Sequence, residues 1–191
     1  MQNNEAMQAF VIDLLKKNIP AAYTYHNYLH TLYVQEKSKE LALQEKLDEN
    51  EMRLLNVAAL WHDTGYINVY KGHEEESCNL ATEYLPGYGF TENEIDKICG
   101  MIMATKIPQT AHTIAEKILA DADLAYLGTI DAAEIAENLF KELNSRNAQL
   151  TKTEWQHQQI NFLTSHQYFT DFYKKNYEPV KQRYLFQLQK R

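Results

Sequence analysis

The sequence predicts an all-α protein built as a single-domain helical bundle, and three observations predict it. Only six glycines and four prolines punctuate 191 residues. Apolar residues recur at helical spacing along most of the chain, and alternating strand patterns are scarce. Two T-x-x-E segments, Thr91 to Glu94 and Thr151 to Glu154, have the form of capping boxes, in which threonine and glutamate satisfy each other's free backbone N–H groups at a helix start. A chain of this length favours one domain, and 45% hydrophobic residues suffice for a sizeable core. The domain is expected to span 1–191, with a motif-bearing core over about 23–130 and C-terminal helices over about 131–191 that complete it.

The elements follow in order. Phe10, Val11, Leu14 and Leu15 form one apolar stripe, and Pro20 closes that helix. A second helix is expected from about Asn27 to Gln44, with Leu29, Leu32, Tyr33 and Leu41 facing inward, and the polar stretch QEKLDENE marks the turn after it. A third carries Met52, Leu55, Ala59 and Leu60, with Gly65 as its stop. His73 to Leu85 reads as the next, closed by PGYG. Thr91 opens a helix with Ile95, Ile98, Ile102 and Met103 on one face, and Pro108 separates it from a helix over about Ala111 to Leu127. Asp131 to Leu143 forms another, and Thr151 opens the one that holds Trp155, Ile160, Phe162 and Leu163. A last helix runs from about Phe169 and is expected to bend at Pro179.

Charge and composition exclude several function classes. A net charge of -7 and a pI of about 5.5 argue against a dedicated nucleic-acid surface, which needs clustered lysine and arginine. Cys78 and Cys99 are too few for a disulfide framework, so a reducing, cytoplasmic setting is expected. The start MQNNEAMQAF lacks the basic region and apolar stretch of a signal peptide. No apolar run approaches the roughly 20 residues of a membrane span.

Four elements carry candidate chemistry. In YHNYLH, His26 and His30 stand four residues apart, a spacing that on a helix puts both imidazoles on one face. His62 and Asp63 sit side by side in LWHDTGY, after a mostly apolar run. His73 begins HEEES, and Asp121 and Asp123 interrupt the apolar ILADADLAYL. Each alone has a plain structural reading. A lone histidine in a helical protein is usually a satisfied polar or core residue, and His112, His157 and His166 receive no role. Glu74, Glu75 and Glu76 suit the positive end of a helix. Together, however, the histidines and carboxylates supply nitrogen and oxygen ligands suited to a divalent transition metal. Such an ion would neutralise carboxylates near a core, where an unpaired charge is costly, and ligands from three helices would tie the bundle together. Spacing leaves Asp121 and Asp123 in competition for the ligand position, because residues two apart cannot share a helix face.

The segments YHNYLHTLYV, AALWHDTGY, HEEES and ILADADLAYLG, over about Tyr25 to Gly128, resemble those of the HD-domain metal-dependent phosphohydrolase superfamily. The first and last also resemble segments of cyclic-nucleotide phosphodiesterases, which share that helical fold. The resemblance implies metal ligands at His30, His62, Asp63 and Asp123, with ADL favouring Asp123 over Asp121. It implies catalytic roles for Asp63, for His26 as the acid that protonates the leaving oxygen, and for His73 as the histidine that approaches the phosphate. The implied cofactor is a divalent metal ion, drawn from Mn, Fe, Co, Ni, Zn or Mg. One ion is expected, with room for a second held mainly by Asp63. Ala104-Thr105-Lys106 stands where binuclear relatives would carry a further histidine, which counts against a complete di-iron site. Apart from the resemblance, Lys106 is a candidate to neutralise a substrate phosphate, or is simply solvated.

The expected function is that of a phosphoric ester hydrolase acting through a metal-activated water on a small phosphate ester, a nucleotide or a related phosphomonoester or phosphodiester. The alternatives are a non-catalytic metal- or nucleotide-binding sensor of the same fold and a di-iron oxygenase. The expected partner is the small-molecule phosphate ester substrate, with no membrane and no dedicated nucleic-acid surface. Trp61, Tyr66 and Tyr70 are candidates for lining a base-sized pocket. The chain after Gly128 shows no motif with a role. Its aromatics, including Trp155, Phe162, Tyr168, Phe169, Phe172 and Tyr173, are expected to complete the core or a subunit contact, which admits a homodimer.

Overall fold

Side-chain caps set where most of the helices begin. A computed structural model describes residues 2–190, which form ten α-helices, three 3-10 turns and no strand. After α1 (Gln2–Asn18), α2 (Tyr28–Gln44) starts where the Asn27 side chain accepts from the Leu29 N–H, and α3 (Glu49–Trp61) where Asp48 accepts from the Glu51 N–H. α4 (His73–Tyr84) follows Gly72, which lies in the left-handed region at φ 76°. The two expected capping boxes open α5 (Glu92–Ala104) and, further on, the helix Lys152–Ser165.

A third box, Thr113 with Glu116, opens α6 (Ile114–Asp123). It corrects the expected start at Ala111: the cap residue is extended, at ψ 163°, so helix cannot precede it. α6 also stops before Leu127, because Leu124 leaves the helical conformation and Ala125–Gly128 forms a 3-10 turn. Then come α7 (Ala132–Arg146), α8 (Lys152–Ser165), α9 (Asp171–Asn176) and α10 (Glu178–Gln189). The single bent helix expected from Phe169 is therefore two helices. Thr170 caps α9, and Pro179 lies in the first turn of α10, where a missing N–H costs nothing.

The hub is α3. Leu54, Leu55, Val57, Ala58, Ala59, Leu60 and Trp61 are all buried, so the helix is apolar on nearly every side and packs against α2, α5 and α6 at once. Val11 and Leu15 of α1, Ile98 and Ile102 of α5, and Ile118 and Leu119 of α6 join the same core. A second core forms around Phe140 of α7, Trp155 and Leu163 of α8 and Leu185 of α10, together with Tyr25, Tyr126 and Leu127. A cavity of about 430 Å³ opens between residues of the two halves.

The orientation of α2 departs from expectation. Leu29 is 59% exposed and Leu32 and Tyr33 are only half-buried, while His30, Thr31, Val34, Gln35, Ser38 and Leu41 face inward. The buried side of this helix is largely polar, because that rotation brings His30 to the ends of α3 and α6.

Gly65 has a different task from the expected helix stop, since α3 ends at Trp61. It is where the turn Thr64–Ile67 presses onto the start of α4. A Cβ at this position would lie 2.0 Å from the His73 carbonyl oxygen and 2.8 Å from the Ser77 nitrogen, and the Gly65 N–H donates to the buried Ser77 hydroxyl at 2.8 Å. Gly65→Ala is therefore expected to push the start of α4, and His73 with it, away from Asp63. The overpacking should cost about 1–3 kcal/mol and lower Tm by roughly 2–10 °C. Thermal unfolding followed by circular dichroism measures this, and an unchanged Tm would mean that α4 yields without strain.

Candidate metal centre and active site

Three helix termini deliver the cluster. His30 lies in the first turn of α2, His62 and Asp63 follow the last residue of α3, and Asp123 ends α6. His30 Nε2 is 3.0 Å from Asp123 Oδ1 and 3.5 Å from Asp63 Oδ2. His62 Nε2 is 3.3 Å from Asp63 Oδ2 and 3.6 Å from Asp123 Oδ1. His30, His62 and Asp123 offer ligand atoms that all lie within 4.8 Å of one another, a spacing that one ion can bridge.

His62 shows what the cluster is built for. Its Nδ1 lies 2.8 Å from the Ala59 carbonyl oxygen. A carbonyl only accepts, so Nδ1 carries a proton, and Nε2, which bears a lone pair whenever the ring is neutral, faces the carboxylates. His62 Nε2 and Asp63 Oδ2 are both buried and have no hydrogen-bond partner among the described residues. A nitrogen lone pair facing carboxylate oxygens away from water is repulsive unless a proton or a cation lies between them.

The electrostatics state the same demand. Burial opposes a charge on His62, but Asp63 and Asp123 outweigh it and push the imidazole pKa well up. Burial would favour neutral carboxyls, but the histidines outweigh it and hold Asp63, chiefly through His62, and Asp123, chiefly through His30, below the usual carboxylate range. Two imidazole nitrogens and carboxylate oxygens suit a divalent transition ion, so this donor set fits one.

Asp121 is separated from the cluster by its own helix. Its carboxylate accepts the Phe169 N–H at 2.8 Å, the Thr170 N–H at 2.9 Å and the Thr170 hydroxyl at 2.7 Å. It anchors the chain between α8 and α9. Burial pushes its carboxyl up to about 6 against the pull of these donors.

His26 reaches the cavity by a route the spacing did not foretell. Because Asn27 is the cap of α2, His26 precedes the helix and shares no helix face with His30. Its ring stacks on Tyr66 at 4.3 Å, and its Nδ1 lies 2.5 Å from Glu142 Oε1. Glu142, on α7, is fully buried. Its other oxygen accepts the N–H groups of Tyr25 and His26, both at 2.9 Å, and the Tyr70 hydroxyl donates to Oε1 at 3.2 Å. Burial opposes charging of His26, but the bond to Glu142 and the Asp63 charge outweigh it and raise the imidazole pKa.

Glu142 lies beyond Gly128, where the sequence alone showed no functional motif. The available signal was positional: it falls three residues after Leu139 and one before Leu143, on the apolar side of an amphipathic helix.

The remaining candidates divide. His73 Nε2 is 3.5 Å from Asp63 Oδ1, and its ring stacks on Tyr66 at 3.9 Å. Both His26 and His73 line the cavity with Asp63 and Asp123. Lys106 does not line it. Its ammonium pairs with Glu75 on the surface, while its neighbours Thr105 and Ile107 face the cavity. Of the aromatics considered for a pocket, Tyr66 lines it, Tyr70 serves Glu142, and Trp61 is wholly in the core beside Tyr84. Trp155 and Phe162, expected in a core or a subunit contact, contribute to the cavity wall.

This fold and this donor set define a class: an all-α protein with a buried histidine–aspartate centre suited to a divalent ion. The sequence profile of the HD domain matches residues 27–125, more than half of the chain, and the chain belongs to the HD domain family, which is metal-dependent. In fold it is similar to the crystal structure of a predicted HD superfamily hydrolase from an uncultured Thermotogales bacterium, at 20% identity and a TM-score of 0.63 over 95% of this chain and 89% of that one. It is also similar to Bacillus subtilis YpgQ in complex with ADP, at 19% identity and a TM-score of 0.63 over 99% and 94% of the two chains. The Lin1889 protein of Listeria innocua matches at 22% identity and a TM-score of 0.60, over 95% of each chain. No curated protein sequence matches it.

Proposed function

We propose that the protein is a metal-dependent phosphohydrolase that releases phosphate from a small phosphate ester. The observation that carries this reading is the buried His62 Nε2 and Asp63 Oδ2, unpartnered at 3.3 Å from each other in a cluster completed by His30 and Asp123. These four residues would hold the ion. A divalent ion lowers the pKa of a coordinated water to supply a nucleophile at neutral pH, and draws charge from a phosphoryl oxygen.

The chain's own groups do the rest. His26, held by Glu142 and raised in pKa, is a proton donor for the leaving oxygen. His73, at the start of α4, presents its Nε2 on the Asp63 side of the cavity, where it can donate to a phosphoryl oxygen. The surrounding apolar wall keeps bulk water from competing for these donors. The structurally similar Bacillus subtilis protein holds ADP, so nucleotides belong among the trial substrates.

The test is metal content by mass spectrometry on the purified protein, paired with a panel of phosphomonoesters and phosphodiesters assayed with added Mn, Co, Ni and Mg. The expected result is bound ion and metal-dependent release of phosphate. Bound ion with no release from any ester would instead favour a sensor.

A further inference from the structure

The cavity has two unlike ends. His26, Asp63, His73, Glu74 and Asp123 gather at one. Much of the rest is apolar and comes from the turn after α6 and from α7 and α8, with Leu127, Leu139, Phe162 and Leu163 among its residues. The chain has 19 lysines and arginines, yet among the described residues none lines this cavity. Two cations nearby in the fold are engaged elsewhere: Lys106 pairs with Glu75, and the Arg146 guanidinium lies over the Tyr70 ring at 3.9 Å. The polar groups on the far wall, Gln158 and Gln159, are uncharged, and Gln159 accepts the Tyr184 hydroxyl at 2.6 Å.

Charge accounting then restricts the ligand. Three carboxylates line the cavity, and a divalent ion offsets two of them. One phosphate group can be met by that ion and by His26 and His73. Each further phosphate would bring buried negative charge without a cation to pair it, which is costly in apolar surroundings. The apolar wall, in turn, favours an uncharged group large enough to cover it.

We propose that the cavity selects a phosphomonoester carrying one phosphate on a large, uncharged, mainly apolar alcohol, with the phosphate at the histidine–aspartate end and the alcohol against Leu127, Leu139 and Phe162. This rests on the phosphohydrolase reading. In the reaction, a water oxygen bonds to phosphorus and the ester P–O bond breaks with its electron pair on the alcohol oxygen. That oxygen takes up a proton, so one water gives one alcohol and one inorganic phosphate.

The test compares kcat/KM of the full chain with added Mn for 2-phenylethyl phosphate, ethyl phosphate, ADP and ATP. The first two have alcohols of similar leaving ability, so a difference between them reads the wall. Burial of the phenyl group should favour 2-phenylethyl phosphate over ethyl phosphate by about tenfold or more, with ADP and ATP slower than 2-phenylethyl phosphate. Gln158→Lys, at an exposed position, should raise the rate on ADP relative to 2-phenylethyl phosphate.

Equal rates on the two monoesters, or fastest turnover of ADP or ATP, would overturn the proposal and leave the phosphohydrolase reading standing. Calorimetry with 2-phenylethylphosphonate and ethylphosphonate separates the two ideas further. Preferential binding of the phenyl compound with no phosphate released from any ester sinks the phosphohydrolase reading and keeps the cavity assignment. Binding of neither phosphonate, without turnover, sinks both.

Discussion

Asp63→Ala is expected to yield a folded, helical protein that retains no divalent metal and releases no phosphate. Asp63 is the carboxylate that the cluster shares most widely: Oδ2 faces both His30 and His62, at 3.5 and 3.3 Å, and Oδ1 faces His73 at 3.5 Å. Without it, His30 and His62 would keep only Asp123 as an anionic neighbour in the cluster, and His73 would keep Glu74, 3.4 Å from its Nδ1. Loss of an outer-shell partner of a metal ligand typically weakens binding by about 10–100-fold, and loss of a ligand carboxylate should exceed that. The fold has other support, because α3 packs on α2, α5 and α6 through Leu54, Val57, Ala58 and Leu60 rather than through the cluster. Metal per chain after dialysis, far-ultraviolet circular dichroism and phosphate release make the three readings. Wild-type metal content in this variant would remove Asp63 from the ligand set.

How much of this was legible in the sequence depends on how local the determining forces are. Caps are local, so the boxes at Thr91 and Thr151 place α5 and α8, and the same T-x-x-E form at Thr113 marks the start of α6. Apolar periodicity placed α1, α3 and α5, whose buried faces are hydrophobic. It failed for α2, where Leu29 is exposed and a row of polar side chains is buried, because there the rotation follows His30 rather than leucine packing. The spacing of His26 and His30 brought both into one region, but the cap at Asn27 sends His26 in from a loop. Asp121 and Asp123 differ through contacts with residues far away in the chain. One holds Phe169 and Thr170, and the other faces His30. Glu142 is the extreme case. It lies 116 residues from His26, and no local pattern around it specifies a partner.

That distant contact predicts the second large effect. Glu142→Gln keeps the size of the side chain but removes the charge and replaces one acceptor oxygen with an NH2 group. In the wild-type protein both oxygens face donors: two backbone N–H groups on one side, His26 Nδ1 and the Tyr70 hydroxyl on the other. The amide can satisfy the backbone pair only by turning its NH2 towards His26. Nδ1 must then accept instead of donate, which favours the neutral ring.

The sign of the pH effect follows. Protonated His26 is the acid form, Glu142 helps to raise its pKa, and loss of the carboxylate lowers it. The alkaline limb of the kcat/KM profile should therefore move to lower pH. The rate at neutral pH should fall by about tenfold or more, up to the 10²–10⁴-fold that a general acid typically contributes. Metal content should not change, because Glu142 makes its bonds to Tyr25, His26 and Tyr70 rather than to the cluster. Glu142→Ala goes further by leaving two buried backbone N–H groups unpaired, at about 1–3 kcal/mol each, so it should also lower Tm. A Gln variant with the wild-type pH profile would make Glu142 a tie between α7 and the segment before α2, and would leave the proton of the leaving group to His73.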